Sequence, residues 1–206
     1  MANVDTRQRL IEAAAQLVHS RGYNAVGVKE VCEAADANKG SFYHFFDSKE
    51  ALMGAVLSQH RDRLRAVREA LPRDARGIEQ LPMMYDAAAF GIVAQYEKSG
   101  HVQGCPIGSV GAEIATQSET IRQAVAEALD EMISAIKELV ERAVEEGDLA
   151  RGTDAKALAQ RLLAYVQGAI LIAKSKNDPG VMQELRNGYL QLLGFDANNP
   201  KRQRSS

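Results

Sequence analysis

The stretch "NKGSFYHFFDSKEAL", residues 38–52, decides how the chain is read. The sequence holds 6 Tyr, 5 Phe and no Trp. Phe42, Tyr43, Phe45 and Phe46 crowd into this one segment around His44, just after Lys39-Gly40-Ser41. Such a run is either a local core or a surface that touches something. Wound as a helix at about 100° per residue, Phe45, Phe42, Phe46 and Tyr43 fill one arc of roughly 160°. Gly40, Ser41 and His44 share the remaining arc, which has no bulky apolar group. Residues 39–46 are therefore expected to form a short helix anchored by Phe42 and Phe46. Tyr43 sits at the arc's edge, where its ring packs while its hydroxyl reaches out. Phe45 receives no role.

Working outward, cap residues bracket this helix. Asn38 opens it, and Ser48 opens a longer one through Leu52, Val56, Leu57 and Leu64. Upstream, Leu10, Ile11, Ala14, Leu17 and Val18 form a helical stripe that ends at Gly22, a left-handed cap. Gly27 caps a short helix with Val28, Val31 and Cys32, followed by Asp36. Two short helices joined by a tight turn, the second with a small polar outer face, are how a helix-turn-helix presents its recognition helix to the major groove. Lys39 can donate to phosphate or guanine, Ser41 and His44 can donate or accept, and Gly40 lets the backbone come close. Periodicity alone fits equally a small helical bundle whose caps resemble this motif.

Downstream, Leu71-Pro72-Arg73-Asp74 breaks the pattern, which resumes from Ala75 to about Lys98, with Pro82 either in its first turns or splitting it, and Ser99-Gly100 ends it. A short segment from Cys105 to Thr116 follows. Ser118 opens a long amphipathic helix through Ile121, Val125, Leu129, Met132, Ile136, Leu139 and Ala143, stopped by Gly147. Thr153 is the expected cap of the next helix, and Asp178-Pro179 the expected cap and first residue of the last. No strand-like alternation and no repeat of 20 to 50 residues competes. The fold class is all-α, about nine helices, the first three short and tightly connected, with residues 198–206 as a frayed polar tail carrying Lys201, Arg202 and Arg204.

Composition narrows the classes. An apolar fraction of 46% suits a folded chain of 206 residues. No apolar run approaches the roughly 20 residues of a membrane span, and the start lacks a secretory pattern, so a cytoplasmic protein with reduced thiols is expected. The net charge of −2 does not announce a nucleic-acid binder. In residues 1–50, six basic side chains (Arg7, Arg9, Arg21, Lys29, Lys39, Lys49) face seven acidic ones (Asp5, Glu12, Glu30, Glu33, Asp36, Asp47, Glu50). A DNA-binding reading must rest on where charges sit, not on their sum.

The residues themselves separate the readings. "VKEVCEAADANKGSFYHFFDSKEAL", residues 28–52, resembles the helix-turn-helix of the TetR/AcrR family of bacterial transcriptional regulators. The match is long and gapless, through Val31, Ala35, Ala37, Gly40, Ser41, Phe42, Tyr43, Phe46, Ser48, Lys49 and Leu52. Four positions depart from the pattern: Cys32 for Ala, Asp36 for the turn Gly, Asn38 for Ser or Thr, and Phe45 where a polar residue is common. The resemblance covers about residues 5–55. It implies a helix-turn-helix DNA-binding domain in residues 1–48, a larger ligand-binding and dimerisation domain in 49–197, a homodimer through the last two helices, a palindromic operator, and release when a small-molecule inducer binds, most simply a repressor. It carries recognition-helix contacts to Lys39, Gly40, Ser41, Tyr43 and His44, and phosphate contact to Lys49; Lys29 is a further DNA-contact candidate.

"GHVQGCPIGSVGAEIA", residues 100–115, is glycine-rich, but no Lys-Ser/Thr follows as a phosphate loop requires. Ile107 stands where a nucleophile elbow needs its first Gly. His101 and Cys105 lack further ligands for a metal site. No catalytic residue, metal or cofactor is expected. The stretch resembles a Gly-Cys-Pro-type segment that opens the sixth helix in one branch of the family and borders its ligand cavity. Cys105 is either a small packed thiol there or, as the alternative function, a sensor of electrophiles or oxidants in a thiol-based repressor.

Ligand-facing candidates are Met84, Phe90, Tyr96, Cys105, Glu113 and Tyr165, apolar bulk with a few polar tips that suits a largely apolar inducer. Core packing explains the same spacing. The stripe Leu158, Leu162, Tyr165, Ala169 and Ile172, with Gly168, Leu185, Tyr189 and Leu192, is expected to form the dimer interface within residues 153–193, core within one subunit being the other reading. The two rivals from other classes are a helical enzyme using Cys105 or His101, and a dimeric module that has lost DNA binding.

Overall fold

The computed structural model describes residues 2–195, with side chains from residue 5 onward. The polar tail expected at 198–206 lies outside them. The described residues form nine helices and no strand: α1 (Ala2–Arg21), α2 (Val28–Ala34), α3 (Lys39–Phe45), α4 (Lys49–Glu69), α5 (Gly77–Ser99), α6 (Pro106–Ile114), α7 (Glu119–Glu145), α8 (Ala155–Lys176) and α9 (Val181–Leu192). None is long and apolar enough to cross a membrane. The chain divides into two compact units, one of residues 1–64 with 105–129, the other of 65–104 with 130 onward. Helices α4 and α7 contribute to both.

In the first unit, α1 ends where Gly22 turns left-handed at φ +85° and returns its amide to the Val18 carbonyl at 2.8 Å. Helix α2 starts at Gly27, whose amide donates to Glu30 Oε2 at 2.8 Å. The core gathers Leu10, Ile11, Ala14 and Val18 of α1, Val31 and Cys32 of α2, and Phe42 of α3. Leu52, Met53, Val56 and Leu57 of α4 close it, with Ile107, Val110 and Ile114 of α6 and Ile121 and Val125 of α7. Cys32 fills its position as a small apolar group, and burial pushes its thiol pKa up.

In the second unit, α5 meets α7 so closely that a Cβ on Gly77 would lie 2.5 Å from the Leu139 carbonyl oxygen. Only glycine fits. Pro82 lies inside α5, not at a break in it. Helix α8 is capped by Asp154, not Thr153: Asp154 Oδ1 accepts from the Ala157 amide at 2.9 Å. Helix α9 begins at Val181, because Asp178 Oδ1 takes the Gly180 amide at 2.8 Å in a turn that precedes the helix. Three tyrosines tie the unit together. Tyr85 donates to the Met182 carbonyl at 2.6 Å, Tyr165 to Leu185 at 2.8 Å and Tyr189 to Leu81 at 3.2 Å.

That packing absorbs much of the stripe assigned to an interface. Leu158, Leu162, Ala169 and Tyr189 are buried within the chain, and α8 packs on α9 and α5. Left outside are Leu171, 63% exposed, Ile172, 44%, and Leu192, 38%.

Candidate nucleic-acid interface

The α2–α3 turn is built by its backbone. The Asp36 amide donates to the Glu33 carbonyl at 3.3 Å and the Ala37 amide to Cys32 at 2.9 Å, with Asp36 left-handed at φ +48°. This is the paired closure of a Schellman motif, and Asp takes the position usually held by Gly at a modest conformational cost. Arg9 of α1 donates to the Asp36 carbonyl at 3.3 Å, fixing the turn from outside. Asn38 Oδ1 then accepts from the Ser41 amide at 2.7 Å and starts α3. Gly40 has a reason beyond close approach to DNA, since a Cβ there would sit 3.2 Å from that capping oxygen.

Helix α3 ends at Phe45, one residue earlier than expected, and Phe46 is extended at φ −139° yet buried. Phe42 is 0% exposed, its ring 5.1 Å from Tyr43 and 5.9 Å from Phe46. Tyr43 is 57% exposed, and Lys39, Gly40 and His44 are also exposed, with Ser41 at the margin. Phe45 is half-buried, its ring 4.8 Å from His44 and edge-on to it, so it supports the imidazole. Arg7 lies over Phe46, 5.3 Å from the ring centroid. Neither Arg7 nor Arg9 was singled out from sequence. The contacts that tie them to this face, Arg9 to Asp36 and Arg7 to Phe46, span 27 or more residues, where no local signal reaches.

The remaining DNA-contact candidates divide. Lys29 is exposed on α2, 3.6 Å from Glu33, a surface pair of little net strength. Lys49 turns inward: its Nζ donates to the Tyr23 carbonyl at 2.5 Å and lies 3.8 Å from the Tyr23 ring centroid. Burial lowers the Lys49 pKa, opposed by the charges of Glu113 and Glu30.

The ligand-facing candidates fall in both units. Cys105 and Glu113 belong to the first unit; Met84, Phe90, Tyr96 and Tyr165 belong to the second. Phe90 is 75% exposed and lines an open groove of ≈ 620 Å³ with Asp86, Val93, Met182 and Arg186. Met84 is half-buried, and Tyr96 is 37% exposed. The Tyr165 hydroxyl is engaged by Leu185, and both Glu113 carboxylate oxygens by backbone amides of the α1–α2 loop. Cys105 is the buried residue before α6, its Sγ 3.8 Å from His60 Nε2.

Burial holds the His60 pKa down at about 4, with smaller effects of His19 and Arg63. The unfolded chain, with an imidazole near 6.5, therefore binds more protons between those values. This contribution to stability is complete above about pH 6.5, falls as pH drops toward 4, and amounts to about 3 kcal/mol. Urea titrations of the wild type and His60→Gln are expected to converge as pH falls through this window. A constant gap between them would contradict the assignment.

Comparison with known proteins matches two profiles. "Bacterial regulatory proteins, tetR family" matches residues 10–56, and "Tetracyclin repressor-like, C-terminal domain" matches residues 77–189. The transcriptional repressor DhaR of Mycobacterium sp. (strain GP1) is 30% identical, over 84% of this chain and 85% of its own. The Escherichia coli K12 repressor NemR is 30% identical, over 82% and 84%. The crystal structure of a TetR regulatory protein from Rhodobacter sphaeroides superposes with a TM-score of 0.80 at 26% identity, covering 90% of this chain and 97% of that one. The reduced form of E. coli NemR gives 0.77 at 27% identity, covering 91% and 96%.

Proposed function

The chain belongs to the TetR family of bacterial helix-turn-helix transcriptional regulators, and on that premise we propose that it is a homodimeric repressor released from a palindromic operator by a small-molecule inducer. Residues 1–48 read the DNA, and 49–197 hold the inducer and the partner subunit. The observation that carries this reading is the polar outer face of α3, with Lys39, Gly40, Ser41 and His44 set over a buried Phe42. Of these, Ser41 and His44 read base edges in the major groove, Gly40 lets the backbone approach, and Lys39 meets a phosphate at the start of the helix. Tyr43, at their edge, sets register on the backbone with Lys29.

Lys49 serves differently from a free phosphate clamp. One N–H is committed to Tyr23, and the others remain to meet a phosphate. The inducer is largely apolar and contacts Met84, Phe90, Tyr96 and Tyr165, all of the second unit. The thiol-sensing alternative is not favoured, because Cys105 is buried, at 8% exposed. An enzyme is disfavoured because Cys105 Sγ lies 3.8 Å from His60 Nε2, beyond the close hydrogen-bond reach of an activated nucleophile–base pair.

The test uses a duplex selected from a random library by the wild-type protein. Affinity should fall steeply with salt, and Lys39→Ala should reduce the slope of log K against log salt by about 1 while weakening binding. A chain that selects no duplex, or shows no salt slope, is the DNA-incompetent module instead. An unchanged slope for Lys39→Ala removes that residue from the phosphate contacts.

A further inference from the structure

The loop after Gly22 joins α1 to α2, and the Tyr23 and Asn24 amides have no helical partner there. Both donate to one carboxylate. Tyr23 N–H meets Glu113 Oε2 at 2.7 Å and Asn24 N–H meets Glu113 Oε1 at 2.8 Å. From the other side, the Lys49 ammonium takes the Tyr23 carbonyl at 2.5 Å and covers its ring. An anion thus grips the N–H side of this segment and a cation its C=O side. Gly22 makes the approach feasible, since a Cβ there would lie 2.9 Å from a Glu113 oxygen. Glu113 belongs to the stretch matching the C-terminal family profile, whereas its partners belong to the N-terminal one, yet all lie in one compact unit.

The gripped loop is continuous with the DNA-reading face. Tyr23 and Val26 are buried, at 6% and 1% exposed. One residue further, Gly27 starts α2, held by Glu30, which pairs with Arg21 at 2.8 Å. The α2–α3 turn has little freedom, so the loop's position sets that of α2 and hence α3. We infer that Glu113 is a positioning residue for operator binding, the group through which α6 orients the recognition helix. The stretch 10–56 is then not an autonomous reader, because its α1–α2 loop takes its position from a carboxylate outside it. Helix α6 also opens at Cys105, so a shift of α6 has a direct, charge-assisted route to the DNA-reading face.

This inference rests on the operator-binding reading, and the experiment separates the two. The wild type is first titrated with the selected palindromic duplex; no binding there overturns the operator reading and this inference with it. Glu113→Gln keeps the shape but turns an NH2 group toward one of the two amides. It is expected to weaken binding to that duplex about tenfold, leave the salt slope unchanged because Glu113 meets no phosphate, and lower the penalty for inserting one base pair between the half-sites. Affinity within twofold of wild type overturns the inference, as does an equal loss on every spacing. A second measurement needs no variant. Coupling is reciprocal, so saturating duplex should slow hydrogen exchange at the Tyr23 and Asn24 amides of the wild type, and unchanged exchange also overturns the inference.

Discussion

Leu171→Glu with Ile172→Glu is expected to convert the protein to a monomer and cut its affinity for the palindromic duplex by about 10² to 10⁴. Leu171 and Ile172 are the large apolar side chains that α8 leaves outside, and Leu192 joins them from α9. Their neighbours Leu158, Leu162, Ala169 and Tyr189 are satisfied within the chain. An apolar remnant of this kind on two adjacent helices is what an isologous interface would cover, each patch meeting its own copy. The double variant would place two carboxylates per chain in this apolar patch, facing two more across the axis, with Lys174 and Lys176 one turn further on as the nearest cations of the helix. A monomer holds one half-site at a time, so the intramolecular second contact disappears and with it the bivalent gain. Affinity for an isolated half-site should stay within a few-fold of wild type. Sedimentation velocity and duplex titration read both consequences. A variant that still sediments as a dimer moves the interface elsewhere.

What could be read from the sequence divides by distance along the chain. The caps at Gly22, Gly27, Asn38 and Ser48 were legible because each closes a bond within four residues. Asp36 was placed in the turn only through the resemblance, where it replaces Gly, and its φ of +48° agrees. Where two neighbours could both cap, sequence could not choose: Thr153 and Asp154 each carry an oxygen, and the Ala157 amide takes the second. Asp178-Pro179 looked like a helix start, but the Asp178 side chain closes a turn on Gly180 first. Periodicity identified the apolar side of α8 without saying what covers it, since burial on a partner and burial on α5 or α9 require the same residues. Glu113 was read as a polar group near a ligand. Its two bonds reach 89 and 90 residues back, so only the folded chain could place them.

Phe42→Ala carries the other large effect. The ring is 0% exposed between Tyr43 and Phe46, so removing it costs about 3–5 kcal/mol through lost burial and the cavity left behind. For a chain of this size that lowers the melting temperature by roughly 10 °C. The functional loss should exceed the thermal one. Helix α3 has 7 residues, far fewer than a helix needs to persist alone, so it is held by its two anchors and the Asn38 cap. With Phe42 gone, α3 should open locally well below the global transition, and duplex affinity should fall at temperatures where circular dichroism still reports a folded chain. Phe42→Leu should retain most of both quantities. Phe45→Ala, which removes a half-buried support of His44, should reduce affinity with a much smaller change in melting. If Phe42→Ala lost stability yet bound duplex within threefold of wild type, α3 would not be the reading helix, because its outer face cannot be presented by a helix that no longer holds.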